Sequence, residues 1–114
     1  PLTAPLRQRR LTPLVRPHPM QSILHPIDFW ILNTTADDWE SLEQILLGIA
    51  EFSNNADPMQ IAQRIVVLTS EGLLQESTGK TFTAGILVES PIDYWFGMTA
   101  AGRKLWESES PKHA

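Results

Sequence analysis

The 114-residue sequence predicts a mostly helical α+β domain with three to four helices and a small antiparallel β-hairpin or sheet. Three observations predict this class. The stretch Asp57–Leu74 has the pattern of an amphipathic helix that stops abruptly before a strand. A second amphipathic segment precedes it across a short polar turn, and a segment with the alternation of a half-buried strand follows it. A chain of this length forms one domain with a single modest core.

The predicted helix at Asp57–Leu74 carries signals at both ends. Asp57 suits the N-cap, Pro58 suits the first helical position, and Gln60 stands where a capping box has its Glu or Gln. Gly72 is placed to end the helix in a left-handed turn, and two leucines then begin a strand. The apolar stripe that we expect to face the core consists of Ile61, Ile65 and Leu68.

Two further segments precede this helix. Residues 26–35 are apolar on nearly every side, so a helix there must be buried on two sides, within the domain or against another subunit; a strand is the alternative. A second helix is predicted from Asp37 or Asp38 to about Phe52, with acidic residues that suit the positive end of its dipole. Its apolar stripe consists of Trp39, Leu42, Ile45, Leu46, Ile49 and Phe52. The polar turn at 53–56 joins the two helices as in a helix-turn-helix.

The remainder predicts a small β element and a closing helix. We expect a strand at Leu73–Ser77, a turn at Thr78-Gly79, and β structure around Ile86–Glu89. A further strand is indicated by the alternating residues Ile92, Tyr94, Phe96 and Met98. Thr99 can cap a last helix that brings Leu105, with Trp106 as a second candidate, onto the body.

This order of elements resembles the winged helix-turn-helix domains of bacterial transcription regulators. In those families a strand ends in an aromatic-x-leucine-threonine-x-x-glycine phrase that begins the closing helix. Residues 94–102 (YWFGMTAAG) are similar to that phrase, with Met98 where leucine is commoner. The resemblance covers about residues 26–107, and it implies that Asp57–Glu71 is a recognition helix for double-stranded DNA.

The resemblance implies base contacts from the recognition helix, and the remaining candidate DNA contacts are Lys80, the only basic residue between Leu73 and Met98, and the arginines of the N-terminal arm. Residues near the start of a recognition helix contact bases, where glutamine can pair with adenine and arginine with guanine. The candidate nucleic-acid-binding residues are Gln60, Gln63, Arg64, Lys80, Arg7, Arg9 and Arg10. The alternative is that Gln60, Gln63 and Arg64 are solvated polar residues of an amphipathic helix. Met59 and Val67, on the same predicted face, are more typical of a protein contact.

The charge distribution argues against the DNA hypothesis. Residues 1–27 contain four arginines and no acidic residue, whereas residues 28–114 contain all 13 acidic residues and five basic ones, for a net charge of −8. An acidic body repels phosphate. A protein-interaction module that binds a protein partner or forms a dimer is therefore the second hypothesis, and the resemblance implies a homodimer under either hypothesis. Its candidate apolar contacts are Phe29, Leu32, Met59, Val67 and Trp106.

The expected organisation is a basic, proline-rich, extended and mobile arm at 1–25, the domain at 26–108, and a disordered tail at 109–114. The chain has no cysteine, which excludes disulfides and Cys-ligated zinc and favours the cytoplasm. No apolar run approaches the length of a membrane span. The three histidines do not cluster, and STGKT at 77–81 lacks the first glycine of a phosphate-binding loop. We therefore expect no enzymatic activity, cofactor, metal or membrane partner.

Overall fold

The computed structural model describes residues 24–53 and 56–113. Over these residues the chain forms five α-helices, three short strands and a closing 3-10 turn. In chain order they are α1 (Pro26–Thr34), β1 (Glu40–Ser41), α2 (Leu42–Ala50), α3 (Pro58–Ser70), β2 (Leu74–Glu76), α4 (Ala84–Glu89), β3 (Trp95–Met98), α5 (Ala100–Glu109) and the turn Ser110–His113. The α+β, mostly helical class predicted from the sequence is confirmed.

The three strands form one antiparallel sheet in the order β1-β3-β2. Glu40 of β1 pairs with Phe96, and Gln75 of β2 pairs with Gly97. Phe96 is fully buried at the centre of the sheet. The sheet therefore joins the segment before α2 to the segments after α3, and it closes the domain behind both helices.

The core is built by side chains from α1, α2, α3, α4 and the sheet. The predicted stripe of α3 is buried as expected, and α1 lies with its apolar faces inside the domain. Trp106 of α5 packs against this core and donates an indole hydrogen bond to Asn33 Oδ1 of α1 at 3.2 Å. The central buried residues are Ile31, Leu32, Leu42, Ile45, Ile49, Ile61, Ala62, Ile65, Leu68, Leu74, Leu87 and Phe96.

Both ends of α3 follow the sequence signals. The Asp57 side chain accepts a hydrogen bond from the Gln60 backbone N–H at 3.1 Å, and Pro58 is the first helical residue. Gly72 has a φ of 79°, which is the left-handed region that glycine adopts without a steric penalty. The N–H groups of Gly72 and Leu73 donate to the carbonyls of Thr69 and Leu68 in the pattern of a Schellman motif. These bonds end α3 and turn the chain into β2.

The predicted start of α2 is wrong by about four residues. The helix begins at Leu42 because Ser41 and Gln44 form a reciprocal capping box. Ser41 Oγ accepts from the Gln44 N–H at 3.4 Å, and Gln44 Oε1 accepts from the Ser41 N–H at 3.2 Å. The residues just before the cap form the edge strand β1, and Trp39 lies over Gly97 of β3.

The β structure predicted around Ile86–Glu89 is also wrong, because these residues belong to α4. Thr83 caps this helix by accepting from the Ile86 N–H at 3.1 Å, and Leu87 enters the core. Burial of Leu87 and packing of α4 against α3 outweigh the β propensity of the segment. Strands β2 and β3 are consequently joined by residues 77–94 rather than by a short hairpin loop.

The C-terminal residues differ from the expected tail at 109–114. Glu109 is the last residue of α5 and is fully buried, and it accepts hydrogen bonds from the Leu24 N–H at 3.2 Å and Lys112 Nζ at 3.1 Å. The His113 ring stacks on Phe29 at a centroid distance of 4.0 Å. This cluster joins both ends of the described chain to α1. Of the predicted arm, residues 1–23 lie outside the described residues, and so does Ala114.

Candidate functional site

The three predicted base-reading residues lie together on α3, but they differ in their surroundings. Gln60 and Gln63 are exposed. Arg64 instead donates from Nε to Asp28 Oδ1 at 2.8 Å and from Nη2 to Asp28 Oδ2 at 2.9 Å. The Asp28 side chain is 8% exposed and that of Arg64 is 37% exposed. The hydrogen bond with Asp28, opposed by burial, raises the pKa of Arg64.

This ion pair uses the donors that would recognise a guanine. A bidentate arginine contact to carboxylate occupies one edge of the guanidinium fork, and guanine readout requires an edge of the same kind. Arg64 thus connects α3 to α1 and has fewer donors to present outward. The sequence showed Arg64 and Asp28 separately, 36 positions apart, with no signal that they would pair.

Lys80 is the one other predicted basic residue within the described part of the chain, and it does not belong to α3. Lys80 is exposed after β2, with Nζ 4.5 Å from the centroid of the Tyr94 ring. It also donates from Nζ to the Asp93 carbonyl at 3.4 Å. Arg7, Arg9 and Arg10 lie outside the described residues. Arg103, in α5, donates to the carbonyl of Ala36 and lies 5.8 Å from the Trp106 ring.

The turn that carries Lys80 is organised by a carboxylate, Glu76. Its Oε1 accepts from the Thr78 hydroxyl at 2.7 Å and from the backbone N–H groups of Thr78 and Lys80, each at 2.9 Å. Its Oε2 accepts from the Trp95 N–H at 3.4 Å. Burial raises the pKa of Glu76, but these hydrogen bonds outweigh burial and hold it below its ordinary value. Glu76 therefore joins β2, the turn and β3.

Acidic residues dominate residues 28–63, the part of the chain that directly precedes Arg64. Between residues 28 and 63 there is no lysine or arginine, whereas seven acidic residues are present. They are Asp28, Asp37, Asp38, Glu40, Glu43, Glu51 and Asp57. Burial, and then the charge of Asp38, raise the pKa of Glu40. Residues 28–63, which run from α1 to the start of α3, are therefore the most acidic part of the chain, whereas α3 itself contains no acidic residue.

Exposed apolar side chains cluster where α2 meets α3. A cavity of about 490 Å³, here called the corner groove, opens between the end of α2 and the start of α3. Leu47 contributes an apolar wall and is 67% exposed. Glu43 is exposed and also lines the corner groove. The lining residues are Glu43, Leu46, Leu47, Ala50, Ser53, Ala56 and Pro58.

A second cavity continues from the corner groove toward α1. It measures about 250 Å³ and shares Ser53 and Ala56 with the groove. Trp30 of α1 lines it and stacks on Phe52 at a centroid distance of 4.2 Å. The Phe52 ring remains 53% exposed on its other side. The two cavities therefore border the same two residues, and their linings extend from Pro26 at the start of α1 to Leu47 of α2.

The sequence analysis identified only part of this apolar surface. Met59, one of its candidates, is exposed near the groove, whereas Phe29 and Leu32 are buried in the core, so those two predictions are wrong. Val67 and Trp106 are half-buried. Leu47 was missed, although the adjacent pair Leu46-Leu47 carried a signal, since neighbouring helical residues cannot both face the core.

The described residues define a small α+β domain with a candidate interaction surface. Among them there is no group of three or more His, Asp or Glu residues that could hold a metal ion. None of the described helices has the length and apolar character needed to cross a membrane. No family model, curated protein or solved structure matches the chain.

Proposed function

We propose that the chain is a winged-helix domain that binds a protein through the corner groove and does not read DNA with α3. The order α1-β1-α2-α3-β2-β3, with strand order β1-β3-β2, supports the winged-helix assignment. The insertion of α4 between β2 and β3 replaces a short wing loop with a helix that packs on α3. Fold order alone does not imply a ligand, so the function is argued from the surface.

The observation that carries this proposal is the charge of residues 28–63, which contain α2, most of α1 and the start of α3. Lysine and arginine contacts to phosphate supply most of the affinity of DNA-binding proteins. Residues 28–63 have seven carboxylates and no such residue, and the next basic residue, Arg64, is bonded to Asp28. A duplex beside α2 and the start of α3 would meet the exposed carboxylates of Glu43, Glu51 and Asp57, and no lysine or arginine of residues 28–63 would offset them.

The apolar exposure supports a protein ligand in the same place. Leu47, Phe52 and Met59 are exposed around the α2–α3 corner. Apolar and aromatic side chains of this kind form the centre of protein–protein interfaces, and a groove between helices suits an inserted peptide or helix. The shape and polarity of the corner groove thus favour a polypeptide.

Site-specific photo-crosslinking tests the proposal. A photoreactive amino acid is placed at Leu47 of the full chain, and this variant is expressed in cells. Irradiation should give covalent adducts between the variant and another protein. The matched control is the same amino acid at Glu107, an exposed position of α5. Adducts with nucleic acid at Leu47, or equal protein adducts at both positions, would refute the assignment.

DNA recognition remains a second candidate because Gln60 and Gln63 are exposed near the start of α3. If α3 reads DNA, the fluorescence anisotropy of a labelled duplex should rise as protein is added at low ionic strength. The anisotropy should then fall steeply as the salt concentration is increased. Replacement of both glutamines by alanine should then weaken binding. Our proposal expects no binding at any salt concentration.

A further inference from the structure

We infer that the corner groove binds the basic N-terminal segment of the same chain, residues 1–19. This inference rests on the proposed function, since it identifies a peptide ligand for the same groove. The segment has the sequence PLTAPLRQRRLTPLVRPHP. The argument uses charge, the position of the groove relative to Leu24, and the apolar content of the segment.

The charges of the segment and of the groove are opposite. Residues 1–19 contain four arginines and no acidic residue. Glu43 lies in the groove, Glu51 follows Ala50 at the end of α2, and Asp57 precedes Pro58 at the start of α3. Because there is no lysine or arginine between residues 28 and 63, no basic side chain of α1 or α2 opposes an arginine-rich peptide at these three carboxylates.

The second cavity lies close to the point where the N-terminal segment joins the body. It is lined by Pro26 and Ile27, two and three residues after Leu24, and it shares Ser53 and Ala56 with the corner groove. The segment is therefore attached to the chain two residues before a residue that lines this cavity. An extended chain spans roughly 3.3 Å per residue, so the 23 residues that precede Leu24 are long enough to reach across a domain of this size.

The composition of the segment suits an apolar groove that is lined by one carboxylate, Glu43. Four leucines are interspersed with the arginines, so leucine side chains can enter the groove while guanidinium groups meet the carboxylates. Five prolines restrict the backbone and reduce the entropy lost on docking. The acidic body of a second copy is a poorer occupant, because its carboxylates would face those of the first.

Paramagnetic relaxation in the full chain tests this inference. The chain has no cysteine, so the substitution Gln8→Cys gives one unique site for a nitroxide label. We expect the label to broaden the amide signals of Leu47 and Ala50 in α2 far more than those of Ala101 and Lys104 in α5. Replacement of the four arginines by glutamine, or high salt, should abolish this difference.

Matched variants and mixed samples decide between occupants. The substitution Leu47→Glu should remove the broadening at Ala50, whereas Ala101→Glu on α5 should leave it unchanged; both positions are exposed. Broadening that appears only when labelled and isotope-enriched copies are mixed would overturn the inference in favour of a second copy. Uniform or absent broadening would also overturn it, and protein adducts at Leu47 would then still support the proposed function.

Discussion

Arg64 of α3 holds Asp28 of α1 by two parallel hydrogen bonds, from Nε at 2.8 Å and from Nη2 at 2.9 Å. This pair connects the first helix of the domain to the helix whose exposed face was predicted to contact bases. Since the Asp28 side chain is almost completely buried, its charge requires a partner within the protein. The contact explains an arginine on α3 without reference to DNA.

Asp28→Asn should lower the free energy of unfolding by about 2 kcal/mol, because it removes a charge-assisted, bidentate contact and leaves Arg64 unpaired. Arg64→Lys should not preserve stability, since an ammonium cannot make both bonds. Urea unfolding of Asp28→Asn, Arg64→Ala and the double variant gives the coupling between the two residues. Asp93→Asn, at an exposed carboxylate, is the control. Additive effects of the two single changes would contradict this role.

The Glu76 carboxylate should make stability depend on pH. Because its folded-state pKa is below its ordinary value, the stabilisation is complete above the unfolded-state pKa of about 4.3 and is lost as pH falls through the folded-state pKa. Glu76→Gln should cost ~1–3 kcal/mol near neutral pH and progressively less in acid. Urea midpoints of both proteins, measured from neutral to acidic pH, should converge. A constant difference would show that Glu76 remains equally stabilising when protonated.

Gly102 is required by a close approach between helix and strand. A Cβ there would overlap the Leu73 carbonyl oxygen and press on Met98 Cγ at 2.9 Å. Gly102→Ala should therefore destabilise the domain by about 3 kcal/mol, through overpacking against backbone. Gly85→Ala in α4 meets its nearest atom at 3.9 Å and should be neutral or stabilising by ~0.5–1 kcal/mol. Thermal unfolding of the two variants compares them directly, and equal midpoints would count against the close approach.

Deletion of residues 110–114 should destabilise the domain. The deletion removes the His113 ring from Phe29 and the Lys112 ammonium from the buried Glu109 carboxylate. We expect a loss of about 1–3 kcal/mol in urea unfolding. Removal of Ala114 alone is the control, and it should have no effect. If deletion of residues 110–114 also leaves the free energy of unfolding unchanged, the contacts of this turn contribute nothing to stability.

Leu47→Glu should leave stability within about 0.5 kcal/mol of the wild type, because the side chain is largely exposed. The same change should abolish binding of a protein partner, since it places a charge in the apolar wall of the corner groove. Photo-crosslinking from Met59, with and without Leu47→Glu, measures this effect. Adducts that persist in the variant would place the interaction surface elsewhere on the domain.

Local sequence signals were sufficient to predict the ends of a helix where a few neighbouring residues control the backbone. Asp57, Pro58 and Gly72 determine where α3 begins and ends, because caps and left-handed turns depend on neighbours within a few residues. Gly102, the last residue of the YWFGMTAAG phrase, was recognised by pattern alone. A glycine is needed at this position because the Leu73 carbonyl, 29 positions earlier in the sequence, leaves no room for a Cβ.

Signals that compete could not be ranked from the sequence. The predicted start of α2 was Asp37 or Asp38, and the pairing of Glu40 with Phe96 moves the start to the residue after Ser41 by drawing the preceding residues into the sheet. Residues 86–89 favour β structure by their local propensity, yet burial of Leu87 selects a helix. Such choices depend on contacts between distant segments, which local propensity does not contain.

The sequence by itself determined the class of the domain, the limits of α3, and the separation of a basic N-terminal segment from an acidic body. These properties follow from composition, helical periodicity and capping, all of which act over a few residues. Only the tertiary structure decided that Arg64 is bonded to Asp28, that Phe29 and Leu32 are core residues, and that Leu47 borders an apolar groove. The reason is that partner choice and burial depend on which helix faces meet, and that is decided when the whole core packs.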